Sequence, residues 1–257
     1  MLRAFTYVIV IFLLLPIIAV VSTSFTEANY MSFPPQGFTL KWYAYALTRG
    51  EMLESLLLSL RIATITSVIS TSIGTLAAFA FVRYRFPGRQ LMNALFMSPL
   101  ILPGVVLGIA LLQFATRIGI SDSPIALILG HTIITVPYAL RLVSASLVGF
   151  DRSLERAAAN LGASPWHTFT KVTLPLISTG MIGAAAFTFI LSYDNVTLSV
   201  FLSTPKMVTL PIRIFTWVDQ VATPFVSALS AMVILGTVVL IIVVERIVGI
   251  RRLYGVQ

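Results

Sequence analysis

The sequence lacks cysteine and has few charged residues. None of its 257 residues is Cys, which excludes a disulfide scaffold, thiol catalysis and a cysteine-ligated metal. Asp, Glu, Lys and Arg make up 10% of the chain, against about 25% in soluble globular domains. This shortage of charge excludes a secreted or cytosolic enzyme, and the 58% content of hydrophobic residues excludes a disordered chain. A mean hydropathy of +0.97 indicates a membrane protein.

Six long stretches of the chain carry almost no charge. A helix needs about 20 apolar residues to cross the bilayer core, and apolar runs without alternation at period two favour helices over barrel strands. The sequence therefore predicts an all-α integral membrane protein, with a single transmembrane domain over residues 1–257. The six predicted spans are 4–25, 58–82, 91–116, 124–147, 177–200 and 223–244.

Basic residues are unevenly distributed between alternate loops. One set of loops holds ten basic and three acidic residues, hence +7, whereas the other holds five of each. Loops rich in Lys and Arg stay in the cytoplasm, so both termini are predicted to be cytoplasmic. The net charge of +8 is a topology signal, and no nucleic-acid partner is predicted. The ten basic residues are Arg3, Arg83, Arg85, Arg89, Arg152, Arg156, Lys171, Arg246, Arg251 and Arg252.

The segment between the fourth and fifth spans, residues 149–176, reads GFDRSLERAAANLGASPWHTFTKVTLPL. Asp151 or Ser153 can cap a short helix, and Gly162 suits the left-handed position that ends one. Apolar residues at spacings of three and four would form one small stripe on this helix. The stripe consists of Leu154, Ala157, Ala158 and Leu161.

A second short helix is predicted to follow in the same segment. Pro165 suits the first turn of a helix, and Pro175 is expected to stop that helix at the membrane. The predicted product is a pair of short helices at an angle, projecting into the cytoplasm.

This segment resembles the EAA loop of ABC importer permeases. The family pattern is Glu-Ala-Ala, three residues, Gly, nine residues, an aliphatic residue, one residue and Leu-Pro. Arg156 stands where the family usually has Glu, and Glu155 precedes it by one residue. The residues that match at the right separations are Ala157, Ala158, Gly162, Val172, Leu174 and Pro175.

Further resemblance lies in SPLILPGVVLGIALL at 98–112, SYDN at 192–195 and TLPIRIF at 209–215, which look like the second permease of polyamine-type importers. The resemblance implies a six-helix permease bundle of a type I ABC importer in a bacterial cytoplasmic (inner) membrane. The implied partners are an ABC ATPase dimer, a second permease subunit and an extracytoplasmic substrate-binding protein, besides membrane lipid. The residues implied to dock the ATPase are Leu154, Glu155, Arg156, Ala157, Ala158, Leu161, Gly162 and Ala163.

The chain contains no Walker A pattern, a Gly-rich loop ending in Gly-Lys-Ser or Gly-Lys-Thr. We therefore predict a non-catalytic transport subunit that binds no cofactor itself, with ATP and Mg on the partner ATPase. A self-contained secondary transporter or channel is the alternative, although such proteins often show internal repeats and several intramembrane charges.

Asp194 is the only acidic residue that lies deep in a predicted span. Ionisable groups there are costly and usually face a cavity, so Tyr193, Asp194 and Asn195 are candidates for the substrate path. The alternative is an aspartate at the end of a helix near the outer interface. By resemblance the substrate is a polyamine or related small amine; ferric iron, a sugar or an organic anion are alternatives.

Two other sets of residues are given structural interpretations. His131 and His167 lie on different segments without a nearby carboxylate pair, so no metal site is predicted. Gly104 and Gly108 form a G-x-x-x-G motif that allows close contact between helices.

Overall fold

The structure is a computed structural model that describes residues 2–220 and 223–248, and these residues form twelve α-helices. A 3₁₀ turn, Ser98–Leu100, follows the fourth helix, and a π-helical turn, Phe169–Thr173, precedes the ninth. The helices are α1 Leu2–Thr23, α2 Lys41–Thr48, α3 Gly50–Arg83, α4 Arg89–Met97, α5 Gly104–Arg117, α6 Pro124–Val148, α7 Ser153–Asn160, α8 Pro165–Thr168, α9 Leu174–Tyr193, α10 Val196–Leu202, α11 Leu210–Gln220 and α12 Pro224–Val248.

Within the described residues, five helical stretches are long and apolar enough to cross a membrane, and a bent pair of helices raises the number to six. The all-α prediction with up to six spans is confirmed, although several boundaries differ. The second stretch begins at Gly50 rather than at residue 58. The five stretches are Phe5–Thr23, Gly50–Arg83, Pro124–Val148, Pro165–Tyr193 and Pro224–Val243.

The third predicted span, 91–116, is broken. Helix α4 with its 3₁₀ turn meets α5 at an angle of 102°. The break falls at Pro103, which lies immediately before the first residue of α5 with an extended ψ of 131°. Proline lacks the N–H that would continue the hydrogen-bond ladder and clashes with the preceding turn. The third predicted span is therefore not one continuous helix but a bent pair, because Pro103 cannot continue the helix.

The helical stretch at the fifth predicted span, 177–200, has different bounds. Pro175 does not stop the second short helix, because α8, the π-helical turn and α9 form one continuous stretch. The π-helical turn lets the N–H of Leu174 reach the carbonyl of Phe169, five residues earlier. This wider turn accommodates the proline without ending the helix. At the other end α9 stops at Tyr193, and the separate helix α10 follows.

The described residues divide into two compact units. The larger unit contains residues 59–207 and the end of α12 from Ile241. Its core lies where α3, α6 and α9 pack closely. A Cβ at Gly74 of α3 would lie 2.6 Å from the Cβ of Ala139 on α6, so only glycine permits this approach. The buried apolar residues of this core are Ala77, Ala78, Phe81, Ala139, Leu140, Val143, Leu147, Ile177 and Ala184.

The G-x-x-x-G motif brings α5 against α10 in the same unit. A Cβ at Gly104 would lie 3.1 Å from Thr197 Cγ2, and a Cβ at Gly108 would collide with the ring of Phe201. The packing role predicted for these glycines is confirmed, since a larger side chain would separate the two helices.

The smaller unit contains the described residues up to Leu58 and those from Val208 to Leu240. Polar contacts fasten the connection between α1 and α2 within it. The indole N–H of Trp42 donates to the carbonyl of Thr26 at 2.8 Å, and the hydroxyl of Ser24 lies 2.6 Å from that of Tyr43. The buried ring of Phe225 packs edge-on against Tyr45 and Trp217.

Candidate functional site

Local hydrogen bonds shape both ends of helix α7. The two carboxylate oxygens of Asp151 accept hydrogen bonds from the backbone N–H and the hydroxyl of Ser153, at 2.8 and 2.7 Å. These bonds stabilise the ionised form and hold the pKa of Asp151 below its ordinary value. Arg152 occupies the capping position of α7 and makes no side-chain capping bond, while Asp151, one residue earlier, accepts the free N–H of the first helical residue, Ser153.

The other end of α7 is a Schellman motif. Gly162 has φ of +84°, and its N–H donates to the carbonyl of Ala159 at 2.9 Å. The N–H of Ala163 reaches back to the carbonyl of Ala158 at 3.0 Å. This pair of bonds requires a left-handed residue at Gly162. The chain then turns sharply into α8, where the hydroxyl of Ser164 accepts from the N–H of His167.

The corner between α7 and α8 presents large apolar side chains to its surroundings. Leu161 is 89% exposed and Trp166 is 73% exposed, and Leu154 on the same stripe is also exposed. Arg156 and Ala157 are exposed, while Ala158 and Ala163 are half-buried. Exposed side chains of this size on a corner of the chain form a surface suited to contact with another protein.

A groove of about 280 Å³ lies on the inner side of this corner. Its wall is mainly apolar, and Glu155 supplies a carboxylate. Residues of α3, α7 and the start of the α8–α9 stretch line the groove. Its lining residues are Phe79, Glu155, Ala159, Ala163, Pro165, Thr168, Phe169 and Thr173.

Glu155 faces its own chain rather than the exposed surface. Its Oε1 accepts a hydrogen bond from the guanidinium of Arg83 at 2.9 Å and another from the hydroxyl of Thr173 at 2.7 Å. Of the eight residues expected to dock an ATPase, Glu155 is therefore already engaged by its own chain. Sequence reasoning used Arg83 only as a topology signal and missed its pairing, because the two residues are 72 positions apart.

The substrate-path candidates lie at a break between helices, not deep in a span. Asp194 is the residue that follows the last turn of α9, and it is exposed. Asn195 caps α10, because its side-chain oxygen accepts from the N–H of Leu198 at 2.9 Å. Tyr193 stacks on Phe189, with ring centroids 6.1 Å apart. Asp194 thus lies just past the end of α9, the helix-end position given above as the alternative.

His131 on α6 forms hydrogen bonds to both helices that flank this break, α9 and α10. Its Nδ1 lies 2.8 Å from the hydroxyl of Ser192 on α9, and its Nε2 lies 3.0 Å from that of Ser199 on α10. The ring is 1% exposed. Because one ring nitrogen donates and the other accepts in neutral imidazole, both nitrogens are satisfied. Sequence reasoning considered His131 only as a metal ligand, and spacing offered no signal for this bridge.

No group of three or more possible metal ligands occurs among residues 2–220 and 223–248. The basic residues Arg251 and Arg252, used above to predict topology, lie outside the described residues.

The helical arrangement is that of type I ABC importer permeases. The structure of a bacterial ABC transporter involved in the import of the acidic polysaccharide alginate superposes with a TM-score of 0.73, at 15% identity, over 98% of this chain and 94% of that one. The inward-facing MetNI methionine ABC transporter gives a TM-score of 0.62 at 19% identity, over 82% of this chain and 98% of that one.

Residues 70–250 match the family described as "Binding-protein-dependent transport system inner membrane component", and the chain belongs to that family. It is thus a multi-pass inner-membrane protein and a non-catalytic permease subunit of an ABC importer. This membership decides between a permease subunit and a self-contained secondary transporter in favour of the permease.

Three relatives span nearly the whole chain. The spermidine/putrescine transport system permease protein PotC of Haemophilus influenzae is 31% identical, over 95% of each chain. The putrescine transport system permease protein PotI of Escherichia coli K12 is 32% identical, over 88% of this chain and 83% of the relative. A putative 2-aminoethylphosphonate permease, PhnV of Salmonella paratyphi A, is 28% identical over 93% of this chain and 90% of the relative.

Proposed function

We propose that the corner formed by α7 and α8 is the coupling element of the importer, which docks in a groove of an ABC ATPase and transmits its motion to the membrane helices. The observation that carries this proposal is the exposed apolar corner held by the Schellman motif at Gly162. Such a corner presents Leu161 and Trp166 outward in a rigid arrangement. Large apolar side chains that are exposed together mark a site of contact with another protein.

The charge pattern supports an orientation for this arrangement. The 149–176 segment belongs to the basic set of loops, so it lies in the cytoplasm and both termini lie there too. The opposite face then receives substrate from an extracytoplasmic binding protein. A second permease subunit completes the translocation path, and an ABC ATPase dimer binds ATP and Mg and hydrolyses the ATP.

A substitution at Gly162 tests the docking. Gly162→Glu adds a charged side chain to the corner and places a non-glycine residue in a left-handed conformation, at a cost of about 1–2 kcal/mol. Gly119 provides a matched control, because it also has a positive φ, of +75°, and open space around it. Gly119→Glu carries the same local strain in a different loop.

The assay is purification of the tagged chain with its ATPase, followed by uptake in membrane vesicles. We expect Gly162→Glu to lose the ATPase and at least ten-fold of the uptake, while Gly119→Glu keeps both. Equal ATPase copurification and equal uptake in the two variants would contradict the proposal that this corner docks the ATPase.

We propose a polyamine or related small amine as the substrate. The relatives named for spermidine/putrescine and putrescine support it, and so does the relative named for 2-aminoethylphosphonate, which is also an amine. Asp194 is the acidic group available near the break between α9 and α10, where a cationic amine would find a carboxylate. Ferric iron, a sugar or an organic anion remain the competing substrates.

Uptake of labelled putrescine and spermidine, in competition with the other substrates, tests this assignment. Asp194→Asn is expected to raise the apparent KM for the amine at least five-fold while the protein still assembles with its ATPase. Asp122→Asn, an exposed aspartate in the loop between α5 and α6, serves as the control. An unchanged KM for Asp194→Asn would place this carboxylate outside the substrate path.

A further inference from the structure

We propose that Arg83, Glu155 and Thr173 form an ionic joint that determines how much of the ATPase motion reaches the membrane helices. This proposal rests on the coupling role proposed above and adds a separate requirement to it. Docking brings force to α7, and the joint passes that force to α3 and α9. Arg83 and Glu155 are thus positioning residues, which act through the helices they connect.

Three elements meet at one carboxylate oxygen. Arg83 is the last residue of α3, Glu155 lies in the first turn of α7, and Thr173 ends the π-helical turn before α9. Both the guanidinium and the hydroxyl donate to Oε1 of Glu155, at 2.9 and 2.7 Å. A displacement of α7 therefore acts on two membrane-crossing stretches at once.

Burial makes the joint stiff. The side chain of Arg83 is 8% exposed and that of Glu155 is 25% exposed, so water screens the pair far less than it screens a surface ion pair. Two rings also hold the guanidinium, because its carbon lies 5.6 Å from the ring centre of Phe79 and 5.1 Å from that of Phe150. Removing one partner leaves the other charged group buried and uncompensated.

Glu155 binds residues of its own chain, so the joint is distinct from the exposed corner that is proposed to dock the ATPase. Arg156, the next residue, is exposed and stands where the EAA pattern usually has Glu, whereas Glu155 is half-buried and bound within the chain. Changes at Arg83 or Thr173 therefore leave the exposed corner unchanged. This separation lets an experiment distinguish loss of docking from loss of transmission.

The experiment uses the complete importer reconstituted in proteoliposomes with its ATPase and binding protein. Uptake of radiolabelled putrescine and hydrolysis of ATP are measured on the same preparation. The variants are Arg83→Gln, Glu155→Gln and the reversed pair R83E/E155R. Arg85→Gln is the matched control, because Arg85 is an exposed arginine two residues further along the chain.

We expect Arg83→Gln and Glu155→Gln to retain the ATPase and at least half of its hydrolysis, while putrescine uptake per ATP falls at least ten-fold. The reversed pair is expected to recover at least a third of the wild-type ratio, and Arg85→Gln to match wild type. An unchanged ratio in Arg83→Gln would overturn the joint. So would parallel loss of assembly, hydrolysis and uptake in the single variants without recovery in the reversed pair, because that pattern marks a purely structural ion pair.

Thr173→Val keeps the ion pair and removes only the hydroxyl, so it tests the connection to α9 without a change of charge. We expect it to assemble normally and to lower uptake per ATP two- to three-fold, and an unchanged ratio would count against the joint. A wild-type chain that copurifies with no ATPase would instead refute the coupling proposal itself, which keeps the two failures distinct.

Discussion

Replacing His131 by leucine is expected to lower the thermal stability of the protein, because His131 bridges Ser192 and Ser199. His131→Leu nearly conserves side-chain volume but removes both ring nitrogens, so the hydroxyls of Ser192 and Ser199 lose their partner. Both serines are buried. A buried hydroxyl that loses its partner costs about 1–3 kcal/mol in general, whereas hydrogen bonds between membrane helices average about 0.6 kcal/mol and reach about 1.7.

Two such losses imply a destabilisation of about 1–4 kcal/mol, with about 2 kcal/mol as the central value. A change of 1 kcal/mol shifts the Tm of a chain of 150–250 residues by about 2–4 °C. We therefore expect His131→Leu to lower the Tm by about 4–8 °C. The assay is thermal unfolding of the detergent-purified complex, and His167→Leu, at an exposed histidine, is the matched control.

A triple variant distinguishes hydrogen bonding from packing. When all partners become apolar, no buried polar group is left unsatisfied and most of the cost disappears. His131→Leu combined with Ser192→Ala and Ser199→Ala should therefore be more stable than His131→Leu alone. A triple variant with a lower Tm than the single one, or a single variant that melts like wild type, would refute the reasoning.

Two further predictions concern α5 and the start of α7. Gly108→Leu should lower stability by about 1–3 kcal/mol through overpacking against Phe201. The comparison is Gly104→Ala, whose Cβ would lie 3.1 Å from Thr197 Cγ2, and equal Tm values for the two variants would contradict the closer contact at Gly108. Ser153→Ala removes the hydroxyl bond to Asp151 and should raise the pKa of that carboxyl toward its ordinary value, which a ¹³C NMR titration of the labelled complex measures. Because the folded pKa of Asp151 is lowered, its stabilising effect is present above the ordinary aspartate pKa and is lost as the pH falls.

Much of the 149–176 segment could be predicted because its structure is local. The acceptor at Asp151, the left-handed Gly162 and the proline at the first turn of α8 act within a few residues of their positions. Caps and turns of this kind depend on side-chain chemistry and backbone conformation that the sequence states directly. The predicted helix α7 is confirmed for that reason.

The effect of each proline on its helix could not be predicted from the neighbouring residues alone. Pro103 divides a span at an angle of 102°, while Pro175 lies within a continuous helical stretch. Both residues lack the N–H that a helix needs. The difference lies in the π-helical turn before Pro175, which satisfies the neighbouring backbone in another way. Whether such a turn forms depends on what the helix packs against, which spacing alone does not report.

The sequence by itself determined that the chain enters a membrane, how many apolar stretches it has and which segment carries the exposed corner. These properties follow from hydropathy, charge and short-range spacing. Only the tertiary structure decided that Glu155 turns inward to Arg83, that His131 bridges α9 and α10, and that Asp194 lies at the end of a helix. The physical reason for the first two is that they depend on helices distant in sequence but packed within hydrogen-bonding range, where a polar group removed from water is stabilised by a partner. The end of α9 at Tyr193 is a feature of the backbone that the apolar pattern alone did not reveal.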